Sequence, residues 1–82
     1  MPYIKKEDRD RLLSVNFPVM ETPGELNFLV TKLIKHYMWN LETNYVLINE
    51  ILGALESAKL EFYRRVVVPY EDKKIVENGD VY

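Results

Sequence analysis

The chain has no cysteine, a single histidine and only three glycines among its 82 residues. Without cysteine there are no disulfides and no thiol chemistry, which suits a cytosolic protein. No apolar run approaches the roughly 20 residues of a membrane span, and residues 1–11 are too charged for a secretory signal. A soluble, cytoplasmic protein with no membrane contact is expected. The formal net charge of −2 leaves no basic excess for duplex DNA or RNA. A Gly-rich phosphate loop, a nucleophile elbow and zinc-ligand spacings are also missing. His36 lies at the edge of an apolar stripe, where a lone histidine is more often structural than catalytic. Acid–base work needs carboxylates opposed across a cleft, and no spacing here establishes that. Most carboxylates instead have helical counter-charges: Glu56 with Lys59, and Glu61 with Arg64 and Arg65. No catalytic residue, metal ligand or cofactor is expected, and the chain reads as a non-enzyme.

What is present is helical periodicity. Residues 43–70 form the longest helical pattern, and the rest is short enough to be arranged around it. At 100° per residue, one face gathers Tyr45, Ile48, Ile51, Leu52, Leu55, Phe62 and Val66, which is wide enough to cover a partner helix and is expected to be the core. A second line, Val46, Gly53, Leu60 and Val67, recurs every seven residues. Beside it runs a third, Asn49, Glu56, Tyr63 and Tyr70. Two apolar faces call for two partners, and Gly53 with Ser57 and Ala54 with Ala58 would let another backbone come close. Gly53 costs roughly 1 kcal/mol against alanine in mid-helix, which packing would explain. The lines therefore predict an oligomer; the alternative is that so short a chain uses both faces internally. Chains of this size bury only about 60% of their unfolded surface, so association would add stability.

Residues 5–13 predict a brief helix with Leu12 and Leu13 turned inward and its mixed charges solvated. Pro18 pushes Phe17 out of the helical region, and Phe17, Val19 and Met20 are expected to pack as plugs. Thr22-Pro23-Gly24-Glu25 is the strongest local signal. Thr22 can cap, Pro23 fits the first helical position, and Glu25 can reach back to the cap's own N–H. The helix that follows has the stripe Leu26, Leu29, Val30, Leu33, Ile34, Tyr37 and Leu41. Phe28, Lys32, Lys35 and Trp39 share its other side, either as a contact surface or covered by the N-terminal arm or C-terminal tail. A short loop at 40–44, with Thr43 or Asn44 as the next cap, predicts an antiparallel hairpin. Pro69 either kinks the long helix or opens a new one; a new short helix over 69–77, stopped at Asn78-Gly79, is favoured. The rival is a hairpin turning at Asn78-Gly79, with residues 1–4 as an added strand. The expected fold is all-α, a single helical domain over 1–82: two long helices in an antiparallel hairpin, short flanking helices and an oligomeric state.

One cluster has chemistry to offer. Lys59, Tyr63, Arg64, Arg65 and Tyr70, with Lys73 and Lys74 beyond, gather near the end of the long pattern. Arginine forks grip phosphate or carboxylate bidentately, and tyrosine rings stack on bases or guanidinium planes. An anionic ligand is one reading. In the other, cations in a last helical turn complement the helix dipole and the tyrosines fill interfaces.

The opening MPYIKKEDRDRL, the middle ETPGELNFLVTKL and the block ALESAKLEFYRRVVVPYEDKKIVENGDVY resemble a family of short, uncharacterised proteins of bacteria and their phages. The resemblance covers nearly the whole chain. It implies a small stand-alone protein and supplies no catalytic residue to carry over. By analogy with phage accessory proteins, the expectation is a non-enzymatic, homo-oligomeric sponge that sequesters a nucleotide-like anionic immune signal in pockets built from Lys59, Arg64, Arg65 and tyrosines. The alternative is a protein-binding adaptor or inhibitor that uses the Phe28 and Trp39 surface and has no small-molecule ligand.

Overall fold

The computed structural model describes residues 2–82, and all regular structure among them is helical. Four α-helices run in order, α1 (Lys6–Leu12), α2 (Pro23–Tyr37), α3 (Tyr45–Phe62) and α4 (Val68–Asn78), with a π-helical turn, Tyr63–Val67, joining α3 to α4. The chain divides into two compact units, Tyr3–Ile51 and Leu52–Tyr82 with Pro2.

In the first unit, α1 has its charges paired along the helix, Lys6 with Asp10 and Arg11 with Asp8, both at 3.8 Å. Leu12 and Leu13 do not turn inward as expected; both are exposed, because charge on most positions of a seven-residue helix leaves it no apolar face wide enough to bury. Phe17 and Val19 are likewise exposed rather than plugged into a core.

α2 starts where its sequence signal places it. Thr22 is extended, with Pro23 at the first helical position, and its hydroxyl accepts the Glu25 N–H at 3.2 Å. The reciprocal half of the box is shifted by one residue: the Glu25 carboxylate accepts from the N–H of Glu21 at 3.2 Å rather than from that of Thr22. The first contact satisfies a donor that the opening turn leaves without a helical partner, and the second ties the residue before the cap to the same turn.

The other end departs from expectation. α2 stops at Tyr37, and Asn40 adopts a left-handed conformation at φ 62°, which asparagine tolerates better than most residues. Leu41 therefore drops out of the stripe, its N–H closing a turn onto the Met38 carbonyl at 2.9 Å. Trp39 falls in the same turn, so it no longer shares a helical side with Phe28 and Lys32. Lys32 Nζ lies over the Phe28 ring at 5.3 Å, and Phe28 and Trp39 both remain exposed. Of the two candidate caps for α3, Asn44 acts: its Oδ1 accepts the Leu47 N–H at 2.9 Å.

On the expected core face of α3 only Ile51 is half-buried; Tyr45, Ile48, Leu52, Leu55, Phe62 and Val66 are exposed. Leu47, 6% accessible, is the one buried hydrophobic side chain among the described residues, and it was not on that face. Leu52 and Phe62 are each 59% exposed and Leu55 37%. On the other side of α3, Ser57 and Glu61 are half-buried, as are Leu29, Val30 and Ile34 on α2. Periodicity marks which face is apolar, but it carries no information on whether the same chain or another covers it.

In the second unit, helix continues from α3 into α4, so Pro69 is entered through a π turn instead of a loop. Pro69 has no N–H to offer the Arg65 carbonyl, and its ring crowds that carbonyl. A turn wider than α opens the ladder there without ending the helix, and the Val68 N–H reaches back five residues to the Tyr63 carbonyl. The extra residue shifts everything after it. In an unbroken α-helix, positions eight apart are about 80° apart; with one residue looped out they behave as seven, about 20° apart. The hydroxyl of Tyr63 accordingly donates to Glu71 at 3.3 Å, eight residues on. The expected line of Tyr63 and Tyr70 is thus broken, Glu71 taking the place foreseen for Tyr70, and the line of Leu60 continues toward Val68 in place of Val67. α4 ends as its sequence suggests. Gly79 has φ 87°, a conformation that favours glycine, and its N–H donates to the Ile75 carbonyl at 2.8 Å. The rival terminal hairpin does not form; residues 2–4 and 79–82 make no strand, and residue 1 of that expectation lies outside the described residues.

Candidate functional site

The cationic and aromatic cluster is built on the last turns of α3, the π turn and the start of α4, all within the second unit. Its charges are engaged locally. Arg64 Nη2 and Arg65 Nε converge on the same oxygen of Glu61, at 2.8 and 3.0 Å, and the Glu61 side chain is only 26% exposed. Lys59 pairs with Glu56 at 3.3 Å, and Lys74 with Glu77 at 3.2 Å. Lys74 Nζ also lies over the Tyr70 ring at 5.5 Å. Each cation named thus has a carboxylate three or four residues away, where helical neighbours meet.

The π turn splits what the sequence appeared to join. It puts Tyr63 with Glu71 and leaves Tyr70 with Lys74, so the two tyrosines do not form one stacking wall. An anion arriving at Arg64 or Arg65 would have to share their donors with Glu61 or displace it. Because both arginines use one Glu61 oxygen, losing that single carboxylate would change the surroundings of two guanidinium groups at once.

Two shallow grooves lie elsewhere. One, about 430 Å³, is lined by Pro18, Val19, Met20, Phe28 and Leu29 in the first unit. The other, about 340 Å³, lies beside Glu71, Ile75, Gly79 and Tyr82 at the end of the second. Neither is lined by Arg64 or Arg65. The second groove was not expected from the sequence; it follows from the turn at Gly79, whose signal was read only as a stop. His36 is exposed on α2. No group of three His, Cys, Asp or Glu residues among the described residues could hold a metal ion, and no helix among them is long and apolar enough to cross a membrane.

These features define an all-helical chain with a self-paired polar cluster and large uncovered apolar faces. The chain belongs to the family described as a domain of unknown function, DUF6899, whose pattern matches residues 1–81. Comparison with curated proteins and with solved structures gives no match.

Proposed function

We propose that this protein is a non-enzymatic, self-associating helical module that works by binding proteins through its apolar helix faces. One observation carries the reading. Among the described residues Leu47 is the one buried hydrophobic side chain, while Leu26, Phe28, Leu33, Leu52, Leu60 and Phe62 are each more than half exposed. Apolar side chains left open on this scale mark a surface for association. An antiparallel hairpin of α2 and α3 within a single 82-residue domain is part of the proposal, completed by neighbouring copies. Light scattering and sedimentation at micromolar concentration test it: an oligomer is expected, and a monodisperse folded monomer removes it.

A second reading is favoured by the π turn. Such turns occur frequently at functional sites, and this one carries Tyr63, Arg64 and Arg65. In this reading Lys59, Tyr63, Arg64, Arg65 and Tyr70 of assembled copies hold a nucleotide-like anion, as in a phage anti-defence sponge. The Glu61 contacts to both arginines weigh against it and support the protein-binding reading. Thermal shift against cyclic and ADP-ribose nucleotides separates the two, since ligand at 100 times its dissociation constant adds about 2.7 kcal/mol. No shift across the panel leaves the protein-binding module.

A further inference from the structure

We infer that the connector between α1 and α2, residues 16–21, pairs as an antiparallel strand with the same segment of a second copy, the twofold axis passing at Pro18. The inference rests on the self-association proposed above and adds to it a backbone contact made within the first unit. Asn16 to Glu21 lie outside any helix and run without a turn or bend, and none of them has a positive φ, so the chain there is extended. Phe17 and Val19 are 61 and 87% exposed. Among the described residues no hydrogen bond reaches the backbone of residues 16–20. An open extended segment of this kind is a template for another strand. Alternate residues aim their N–H and C=O groups at the same edge. Pro18 has no N–H, so the edge it shares with Asn16 and Met20 cannot complete a ladder. The edge of Phe17 and Val19 can.

The occupant is the same segment because the register closes on itself, as a twofold interface requires. With Pro18 opposite Pro18, Phe17 of each copy exchanges both backbone bonds with Val19 of the other. The two prolines then meet at the kind of position where an antiparallel ladder places no hydrogen bond, so the missing donor is missing where none is needed. Moving the axis to Val19 would call on the Glu21 N–H, already given to the Glu25 carboxylate. Moving it to Phe17 would call on Val15, where the chain bends. Phe17 against Val19 is also a favourable aromatic and β-branched cross-strand pair, and the proline edge bars a third strand. Two strands by themselves are marginal in water unless they pack on a helix. α2 supplies that support: Pro18 and Met20 line the groove of about 430 Å³ together with Phe28 and Leu29.

The test uses the full chain, which has no cysteine of its own. Facing residues at a position without hydrogen bonds lie about 4.5 Å apart at Cα, within reach of a disulfide. Pro18→Cys is expected to form a disulfide-linked dimer with itself on air oxidation. Glu21→Cys, exposed on the same segment but about 20 Å from its counterpart in this register, stays unlinked. Adding Val19→Pro to Pro18→Cys removes a ladder donor from each copy and is expected to slow linking roughly tenfold, whereas Met20→Pro, on the other edge, leaves it unchanged. Asn16→Cys and Met20→Cys link to each other when mixed and neither links to itself, which decides the matter if circular dichroism shows Pro18→Cys to be unfolded. Equal linking of Glu21→Cys, or equal slowing by both prolines, overturns the strand pairing. So does the absence of any link in proteins that light scattering shows to be oligomeric, and the self-association reading survives that result. A monomeric wild type removes that reading, and the strand pairing with it.

Discussion

Replacing Pro69 with alanine should abolish the π turn and rotate α4 relative to α3. Alanine supplies the N–H that Pro69 lacks and removes the ring that crowds the Arg65 carbonyl. Proline costs about 3 kcal/mol against alanine in a regular helix interior, but the turn at Tyr63–Val67 has already relieved part of that strain. What remains to be gained is one backbone hydrogen bond, worth about 1 kcal/mol net, and a return from π to α geometry. A stabilisation of about 1–2 kcal/mol is therefore expected in urea melts at fixed protein concentration. The structural readout is sharper. Tyr63 now meets Glu71 at 3.3 Å; with the extra residue drawn back into an α-helix, Glu71 swings about 100° away and Tyr70 takes its place. Nuclear Overhauser contacts from the Tyr63 ring should move from Glu71 to Tyr70. If Pro69→Ala keeps the Tyr63–Glu71 contact, the π turn belongs to the YRRVV segment itself and its attribution to proline is wrong.

Thr22→Ala removes the acceptor of the Glu25 N–H and should cost about 1 kcal/mol in denaturant melts; a neutral result means the cap contributes nothing to the start of α2. At Gly53 an added Cβ meets nothing within 4 Å, so Gly53→Ala should stabilise the chain by up to about 1 kcal/mol through helix propensity, whereas destabilisation in the same melts would reveal a neighbouring backbone close to that face. Arg64→Lys and Arg65→Lys keep the charge and lose the planar fork. If the arginines serve only Glu61, stability should change by no more than about 1 kcal/mol, and calorimetry with any nucleotide found by thermal shift should show equal affinity in all three proteins. A selective loss of affinity in either variant would instead favour the anion-binding reading.

Where the sequence was legible, the responsible interactions are local. Thr22-Pro23-Gly24-Glu25 determines its own hydrogen bonds within one helical turn, and so do Asn44 and Gly79. The pairing of Glu61 with Arg64 and Arg65 follows from three- and four-residue spacing and needs no tertiary information. The π turn was harder to foresee because its cause and its effect lie apart: Pro69 was read as a point of interruption, while the accommodation occurs at Tyr63–Val67 and displaces the contacts of Tyr63 onto Glu71. A proline inside a pattern that remains helical on both sides, preceded by three β-branched valines, was the available signal. The early end of α2 has a similar origin, since the pattern of leucines runs on to Leu41 while the left-handed turn at Asn40 is a backbone event. Burial was the least legible property. Leu55 and Leu52 belong to an apolar face by any count, yet the one buried hydrophobic side chain among the described residues is Leu47, because coverage depends on which surfaces meet.

That Leu47 is the one buried hydrophobic side chain among the described residues bears on how the protein comes to exist in a cell. If neighbouring copies complete the core, as proposed, refolding is a bimolecular reaction. Its rate would rise with concentration and its melting temperature would fall on dilution. Production level would then act as a threshold: below the dissociation constant newly made chains persist as protease-sensitive monomers, and above it they accumulate as long-lived assemblies.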